Sequence, residues 1–544
     1  MRRRRFLVSA AITGTASMLI PNIKGIAATL SDCQPNTNPK SALTEFGYTP
    51  QGMSMWDSWF ISKGDKVHMF HLQQLAKNSS LPPLYAEAVG HAVSEDLLHW
   101  TTLQPALPPL PSGGLDDLRP YTGCVVEHKG QYYMFYTMRG KADKGFGQRI
   151  GLAFSNDLVK WERYDKNPVI VPDSKYYISH DKPMANRTVD CRDMTIVWDE
   201  TNQRWVGFYS ARLRNSDNAQ CAAIAAVESK DLIHWEHLPP AFTPKYTYIE
   251  VPEVYHINGK WYLSCLTNTE WNPRGVFSEP YMNHGTIYAW SNKPEGPYQE
   301  FKDDNVLIAD TNENAAGVSC KAVQFNGKTY VFYTERFPDT SHLLSPPMGI
   351  TTDKNGHLRL AYSGYAEKIK GRQIISPIKN TAITDVPIPV LEWPIHSGTW
   401  KLENNILTGY AQYSWQIAYL GIVVDNIEIT ADIYMNAFAA GIVYNTETHG
   451  NMVVMLDSHE KAVSCTYAPV FPLKHMRHWD INKGQSYQLR IIKRGRRFEV
   501  YVDNLLALGF FEDVQDKQNP RIGVIVECGS VTISNLCVYE LKDN

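Results

Sequence analysis

Cysteine is present but unorganised. Nine cysteines are scattered over 544 residues, and no two form a Cys-x-x-Cys pair. The odd count argues against a complete disulfide framework, and metal-ligand spacing is absent. The thiols read as small buried hydrophobes. Cys33 follows Leu-Ser-Asp, a poor match to a lipid-attachment site. After the N-terminus no stretch approaches the ~18–20 apolar residues of a membrane-spanning helix. Charge of one sign is missing as well. Lys and Arg number 53 against 56 Asp and Glu, a formal net charge of −3. No long acidic or basic block follows the first residues, so neither nucleic acid nor an anionic membrane is favoured as a partner. Amphipathic helical patterns between the apolar segments are lacking too. What the chain has in quantity is aromatic side chains, 12% of all residues, with 30 Tyr and 14 Trp. That is a folded composition, and the length asks for two or three domains.

The first residues, "MRRRRFLVSAAITGTASMLIPNIKGIAA", place four arginines before an apolar run that ends in small residues near Ala27–Ala28. This predicts a secretory signal over 1–28, of the twin-arginine type from Arg3-Arg4-Arg5-Phe6-Leu7, and export to the periplasm or outside the cell. An uncleaved membrane anchor is the alternative.

Five segments repeat: "KVHMFHLQ" (66–73), "QYYMFYTMR" (131–139), "RWVGFYSAR" (204–212), "KWYLSCLTN" (260–268) and "KTYVFYTER" (328–336). Each has the composition of a buried strand, and all but the third follow a turn containing Gly. A second element follows in four units: "GHAVSEDLLHW" (90–100), "GLAFSNDLVKW" (151–161), "AAVESKDLIHW" (225–235) and "IYAWSNKPEGPY" (287–298). Strand, turn, strand at a period of about 60–75 residues is the signature of propeller blades. The fold predicted is all-β: a five-bladed β-propeller over 40–375, a linker over 376–397 and a β-sandwich over 398–544. The last region shows short alternating strands such as "YQLRIIKRG" and "RFEVYVDN", suited to half-exposed antiparallel pairing.

In a propeller, polar residues near the starts of the units converge on the central funnel. Three acids stand there. Asp57 lies in "MSMWDSWF" (53–60), between Trp56 and Trp59; Asp193 lies in "DCRDMTIVW" (190–198); Glu250 lies in "YIEVPEVY" (248–255). Apolar neighbours would raise the pKa of Glu250 and suit it to donate a proton. Asp57 could stay ionised beside the indoles if it accepts hydrogen bonds. Arg192 could keep Asp193 ionised or bind a hydroxyl. Two carboxyls of unlike pKa are the minimum for glycoside cleavage, and a third can stabilise the cationic sugar ring. Singly, each acid could equally be a turn or cap carboxylate. His91 and Trp100 belong to the repeated element and read as structural, and Arg119 reads as a residue that reaches either the pocket or a loop salt bridge.

These motifs resemble the clan of glycoside hydrolase families 32 and 68, the invertases, inulinases, levanases and levansucrases. "WDSW" (56–59) is similar to the levansucrase nucleophile motif, and "GHAVSEDLLHW" to a family 32 segment. "CRDMTIVW" (191–198) resembles the family's Arg-Asp-Pro motif, and "EVPEVYHINGKWYL" (250–263) its Glu-Cys-Pro-Asp motif. The resemblance implies Asp57 as nucleophile, Asp193 as transition-state stabiliser and Glu250 as acid/base. It implies Trp56, Gln73, Arg192 and Glu253 as substrate-binding or supporting residues, with Glu253 as acid/base in the other register. Departures are Ser58-Trp59 after the nucleophile, Met194 for Pro, Val251 for Cys and Glu253 for Asp. The implied activity is hydrolysis of terminal β-D-fructofuranosides with retention. It would act on a carbohydrate substrate, through a covalent fructosyl-enzyme and without metal or organic cofactor. A fructosyltransferase, an arabinofuranosidase-type furanosidase related to family 43, and a non-catalytic glycan-binding propeller are the alternatives. Oligomeric state is left open.

Overall fold

Runs of aromatic and β-branched residues between Gly-containing turns give strands throughout the chain. The structure is a computed structural model. It describes residues 47–542 except 78, 185–187, 273–274, 280–281, 311–315, 337–341, 376–383, 386–397, 447–449, 469–472, 474 and 512–519. The predicted signal and, apart from Thr384–Asp385, the predicted linker lie outside the described residues. No helix among the described residues is long and apolar enough to cross a membrane. The eight described cysteines are free thiols, six of them buried.

Four separate sheets of four strands come first. They are β1 (Met53–Lys63), β2 (Lys66–Leu75), β3 (Gly90–Ser94) and β4 (Thr101–Thr102); β5 (Arg119–His128), β6 (Gln131–Arg139), β7 (Arg149–Ser155) and β8 (Glu162–Arg163); β9 (Arg192–Asp199), β10 (Arg204–Arg212), β11 (Ala222–Ser229) and β12 (Glu236–His237); β13 (Glu250–Ile257), β14 (Lys260–Asn268), β15 (His284–Ser291) and β16 (Val306–Asp310). In each sheet every strand lies beside its neighbour in sequence, all antiparallel. The propeller architecture predicted from the repeat is present, and the repeated aromatic segments are the second strands.

The repeated Ser-x-Asp-Leu element is a turn that seals itself. The Ser94 hydroxyl accepts the Leu97 N–H at 2.8 Å and the Asp96 carboxylate accepts the His99 N–H at 2.8 Å. The same pair of bonds recurs at Ser155 and Asp157 (2.8 and 2.8 Å) and at Ser229 and Asp231 (2.9 and 2.8 Å). The leucine in each copy takes a left-handed backbone, with φ of 69°, 71° and 66° at Leu97, Leu158 and Leu232. That conformation costs an L-residue about 1–2 kcal/mol. The bonds and the burial of all three leucines offset it. Trp100 is fully buried, and His91 is buried with a 2.9 Å hydrogen bond to His68, in line with structural roles.

A fifth group follows: β17 (Ala316–Phe325), β18 (Lys328–Arg336), β19 (His342–Leu344), β20 (Met348–Thr352) and β21 (Leu358–Ala361). β19 and β20 both pair with β18, at Glu335↔Leu343 and Val331↔Met348. They are two halves of one edge interrupted by Ser345-Pro346-Pro347, where proline has no N–H to give the ladder. This group does not end freely. Ala361 of β21 pairs with Leu505 and leads into a large C-terminal β-sheet region.

In the C-terminal region the long strand Arg521–Leu541 pairs with two others, Ile406–Ile422 and Ile427–Thr446. The apolar positions of these and neighbouring strands, among them Leu407, Ile433, Ile491, Val500 and Val524, form one core. A buried ionic cluster ties this region to the fifth group. Arg497 pairs with both Glu335 of β18 and Glu499, and the Tyr365 and Tyr501 hydroxyls donate to Glu499.

Candidate active site

Each innermost strand, β1, β5, β9, β13 and β17, breaks its pairing register near its start. The shifts fall at Trp56/Ser58, Tyr121/Gly123, Phe208/Ser210 opposite β9, Glu250/Glu253 and Val318/Lys321. These are β-bulges, which re-aim side chains and concentrate beside functional sites. The residues inside them are Asp57, Thr122, Asp193, Val251 and Ser319. Four of these have positive φ: 44° at Asp57, 61° at Asp193, 50° at Val251 and 58° at Ser319.

Hydrogen bonds then pass from group to group around the hub. The Thr122 hydroxyl donates to Asp57 Oδ2 at 2.7 Å. Asp193 N–H donates to Thr137 Oγ1 of β6 at 3.0 Å, and Val251 N–H to Asp193 Oδ2 at 3.2 Å. The Thr286 hydroxyl of β15 donates to Gly317 O at 2.8 Å. Ser319 Oγ donates to Asp57 Oδ1, and Asp57 N–H donates to Thr334 Oγ1 of β18 at 3.2 Å.

Asp57, Asp193 and Glu250, from three different sheets, all line one open cavity of about 580 Å³. Arg192 lies under two of them. Its Nε is 3.2 Å from Asp193 Oδ2 and 3.3 Å from Glu250 Oε2, and its Nη1 is 2.9 Å from Asp190 Oδ2. Arg212 shares Asp190 at 2.7 Å. The Arg192 guanidinium also lies 5.4 Å from the Tyr248 ring.

Burial raises all three acids. For Asp57 the Ser319 and Thr122 hydroxyls oppose the rise, and Lys321 and Arg192 help them. For Asp193 burial is opposed by Arg192 but reinforced by the negative charges of Glu250 and Asp57. For Glu250 burial is opposed by Arg192 and reinforced by Asp57. Burial would raise Asp190 too, but Arg192 and Arg212 outweigh it and hold it low. Carboxyls crowded in this way do not all ionise at ordinary pH. The upward direction of the Glu250 shift is the one an acid catalyst needs.

Trp56 lines the cavity, and the Arg119 guanidinium lies over its ring at 5.2 Å while donating to Gln73 O. Gln73, expected near the substrate pocket, does not line it, and neither does Glu253, expected as a substrate or supporting residue. Gln73 is buried, and its amide donates to Tyr85 O at 2.6 Å. Its neighbours Leu72 and Gln74 take the cavity side of β2, because successive strand residues point to opposite faces. Glu253 sits behind the cavity. It accepts from the Thr195 hydroxyl at 2.9 Å and pairs with buried Lys321 at 3.1 Å. Sequence reading missed Thr122, Ser319, Tyr248, Asp190 and Lys321. A signal existed for two of them: Thr122 and Ser319 each stand eight residues before the turn glycine of their hairpin, Gly130 and Gly327. The rim carries Phe146 and Trp271, which are 57% and 45% exposed.

Fold and site together define a propeller protein with an acidic hub, followed by a β-sheet region. Residues 58–293 match the glycosyl hydrolases family 32 N-terminal domain. The chain is 27% identical over 254 residues to a levanbiose-producing levanase of Bacillus subtilis (strain 168), covering 44% of this chain and 41% of that protein. It is 34% identical over 122 residues to an acid beta-fructofuranosidase of Vicia faba, covering 21% of this chain and 17% of that one. The chain spans about half or less of the length of the curated relatives it matches, 41% and 53% for two levanbiose-producing levanases. Among solved structures, a Bombyx mori GH32 beta-fructofuranosidase superposes with a TM-score of 0.61 at 16% identity, covering 96% of this chain and 97% of that one. An exo-inulinase from Aspergillus awamori gives a TM-score of 0.62 at 14% identity, covering 93% and 99%. At these identities the structural likeness shows the fold.

Proposed function

We propose that the protein is a retaining glycoside hydrolase that cleaves terminal β-D-fructofuranosides of sucrose, fructo-oligosaccharide or fructan type. The observation that carries this reading is the convergence of Asp57, Asp193 and Glu250 on one cavity. The names of the curated relatives, levanase and beta-fructofuranosidase, support the sugar.

In this reading a carboxylate oxygen of Asp57 attacks the anomeric carbon while Glu250 gives its proton to the departing glycosidic oxygen. The C–O bond breaks and a fructosyl ester forms on Asp57. Glu250, now ionised, takes a proton from water as the water oxygen attacks the same carbon. The ester opens and both acids return to their starting states. Asp193 stabilises the oxocarbenium-like charge, held in place by the Val251 N–H, the Ser210 hydroxyl and Arg192. Arg192 binds a fructose hydroxyl. The two hydroxyls on Asp57 keep it anionic inside a site that would otherwise protonate it.

In the same reading the fifth strand group is the fifth blade, because the hub bonds link it to both the fourth group and the first. The C-terminal region from 398 is a β-sandwich, and residues 1–28 direct export. The test is the purified protein against sucrose, inulin, levan and an aryl β-fructofuranoside, with the product anomer followed by NMR. Fructose released first as the β-anomer, and its loss in Asp57→Ala, is the expected result. An α-anomer first product, or full turnover by Asp57→Ala, would overturn the mechanism.

A further inference from the structure

Behind the cavity lies a buried ion pair that touches none of the three acids directly. Lys321 is 2% exposed and Glu253 9%. The Lys321 ammonium donates to Pro252 O at 2.7 Å and pairs with Glu253 Oε2 at 3.1 Å. Glu253 also accepts the Thr195 hydroxyl of β9 at 2.9 Å and the Ala322 N–H of β17 at 3.2 Å. Three inner strands, β9, β13 and β17, are therefore pinned at one point.

That point sits next to the bulges that build the site. Pro252 directly follows Val251, whose N–H holds Asp193, and Glu250 lies one residue further back. Lys321 is two residues from Ser319, whose hydroxyl holds Asp57. Two of the bulged segments are strained, with φ of 50° at Val251 and 58° at Ser319. Strained segments persist only where the surroundings over-determine them. A buried pair is weak support for stability as such, since apolar replacements of both partners are often neutral. Its value here is in registration.

We propose that Lys321 is a positioning residue of the active site. By binding Pro252 O and Glu253, its ammonium fixes the strand that carries Glu250 against the strand that carries the Ser319 hydroxyl. This deepens the reading that Asp57 and Glu250 cleave a glycosidic bond, and its kinetic arm rests on that reading. Lys321 also adds positive charge near Asp57 and so favours the anion.

The experiment uses the full chain and the double variant Lys321→Met/Glu253→Gln, which leaves no lone buried charge, beside Lys321→Arg. Expected are a melting temperature close to wild type and a kcat lower by about 100-fold, the scale of an ångström of misplacement at a reacting centre. KM should change little, the acidic limb of the pH profile should move to higher pH, and Lys321→Arg should recover part of kcat. Crystal structures of wild type and double variant read the geometry without turnover. The Val251 N–Asp193 and Ser319 Oγ–Asp57 contacts should persist in the first and open in the second. Unchanged contacts, or a folded double variant with wild-type kcat and pH profile, would overturn the proposal. A wild type that turns over no fructofuranoside would overturn the functional reading instead, and the crystal comparison would still decide the role of Lys321.

Discussion

Replacing Ser319 by alanine removes one of two hydroxyls on Asp57 and almost nothing else. Ser319 is fully buried, so no solvent stands ready to take over its bond, and its φ of 58° strains alanine as it strains serine. A hydrogen bond to a charged group contributes about 1.5–3 kcal/mol. At about 1.4 kcal/mol per pKa unit, its loss raises Asp57 by roughly one to two units. The sign follows from the chemistry. In the proposed mechanism Asp57 attacks as an anion; burial already raises it, while the Ser319 and Thr122 hydroxyls pull it back. Removing a donor to the anion raises the pKa further, so the acidic limb of kcat/KM, which reports the free enzyme, moves to higher pH. The assay is the kcat/KM profile of wild type, Ser319→Ala and Thr122→Val on an aryl β-fructofuranoside. Both variants should shift the limb the same way. The double variant should shift it by less than or more than the sum, since both donors serve one carboxylate. An acidic limb that stays in place, or moves to lower pH, would refute the assignment of Asp57 as the nucleophile held ionised by these hydroxyls.

Asp193→Asn should abolish turnover yet stabilise the fold as pH rises. A carboxyl raised in the folded state binds more protons there than in the unfolded chain, so wild type loses stability as pH climbs through and above the ordinary aspartate value of about 3.9. The melting-temperature difference between variant and wild type should therefore be small at pH 4 and grow toward pH 8, and a difference that shrinks would contradict the raised Asp193. Arg497→Met strands Glu335 and Glu499 in the buried junction and should cost about 3–5 kcal/mol in denaturant unfolding. A loss under about 1 kcal/mol would mean the cluster is not uncompensated by the change. Trp271→Ala should raise KM on an oligosaccharide by roughly five-fold, about 1 kcal/mol of ring contact, with kcat nearly unchanged. An unaltered KM would show that the rim does not touch substrate.

The strands and the three acids were legible because each rests on local pattern. A Gly-containing turn followed by an aromatic run marks the second strand of a sheet, and an acid just ahead of such a unit falls at the hub. What escaped depends on contacts that no local pattern encodes. Ser319 and Asp57 are 262 residues apart in the chain. Gln73 was misplaced for a related reason. One position along a strand decides which face a side chain takes, and a bulge in the partner strand resets that choice. Here Trp56 pairs with Leu72 and Met55 with Gln73, which leaves Gln74 rather than Gln73 in the cavity. The interrupted edge at Ser345-Pro346-Pro347 and its continuation into the C-terminal strands were likewise settled by packing rather than by composition.

The bulges explain why local preference fails at this hub in particular. A regular strand alternates its side chains between two faces of its own sheet, and in a propeller both of those faces are covered by neighbouring sheets. Inserted residues with left-handed backbone re-aim the carboxyls of Asp57 and Asp193 into the cavity, at about 1–2 kcal/mol for each L-residue, while Glu250 keeps its pairing with Leu266 and stands just before the bulge at Val251. Val251 is the severest case, since a β-branched residue at φ 50° is a conformational outlier. Its side chain is 1% exposed beside Leu266 and Val318, and its N–H is given to Asp193. The strain is thus offset by apolar burial on one side and by a bond to an acid of the site on the other. A position whose backbone opposes its residue type, while its N–H serves a neighbouring carboxylate, is placed by the needs of the site rather than by the needs of the strand.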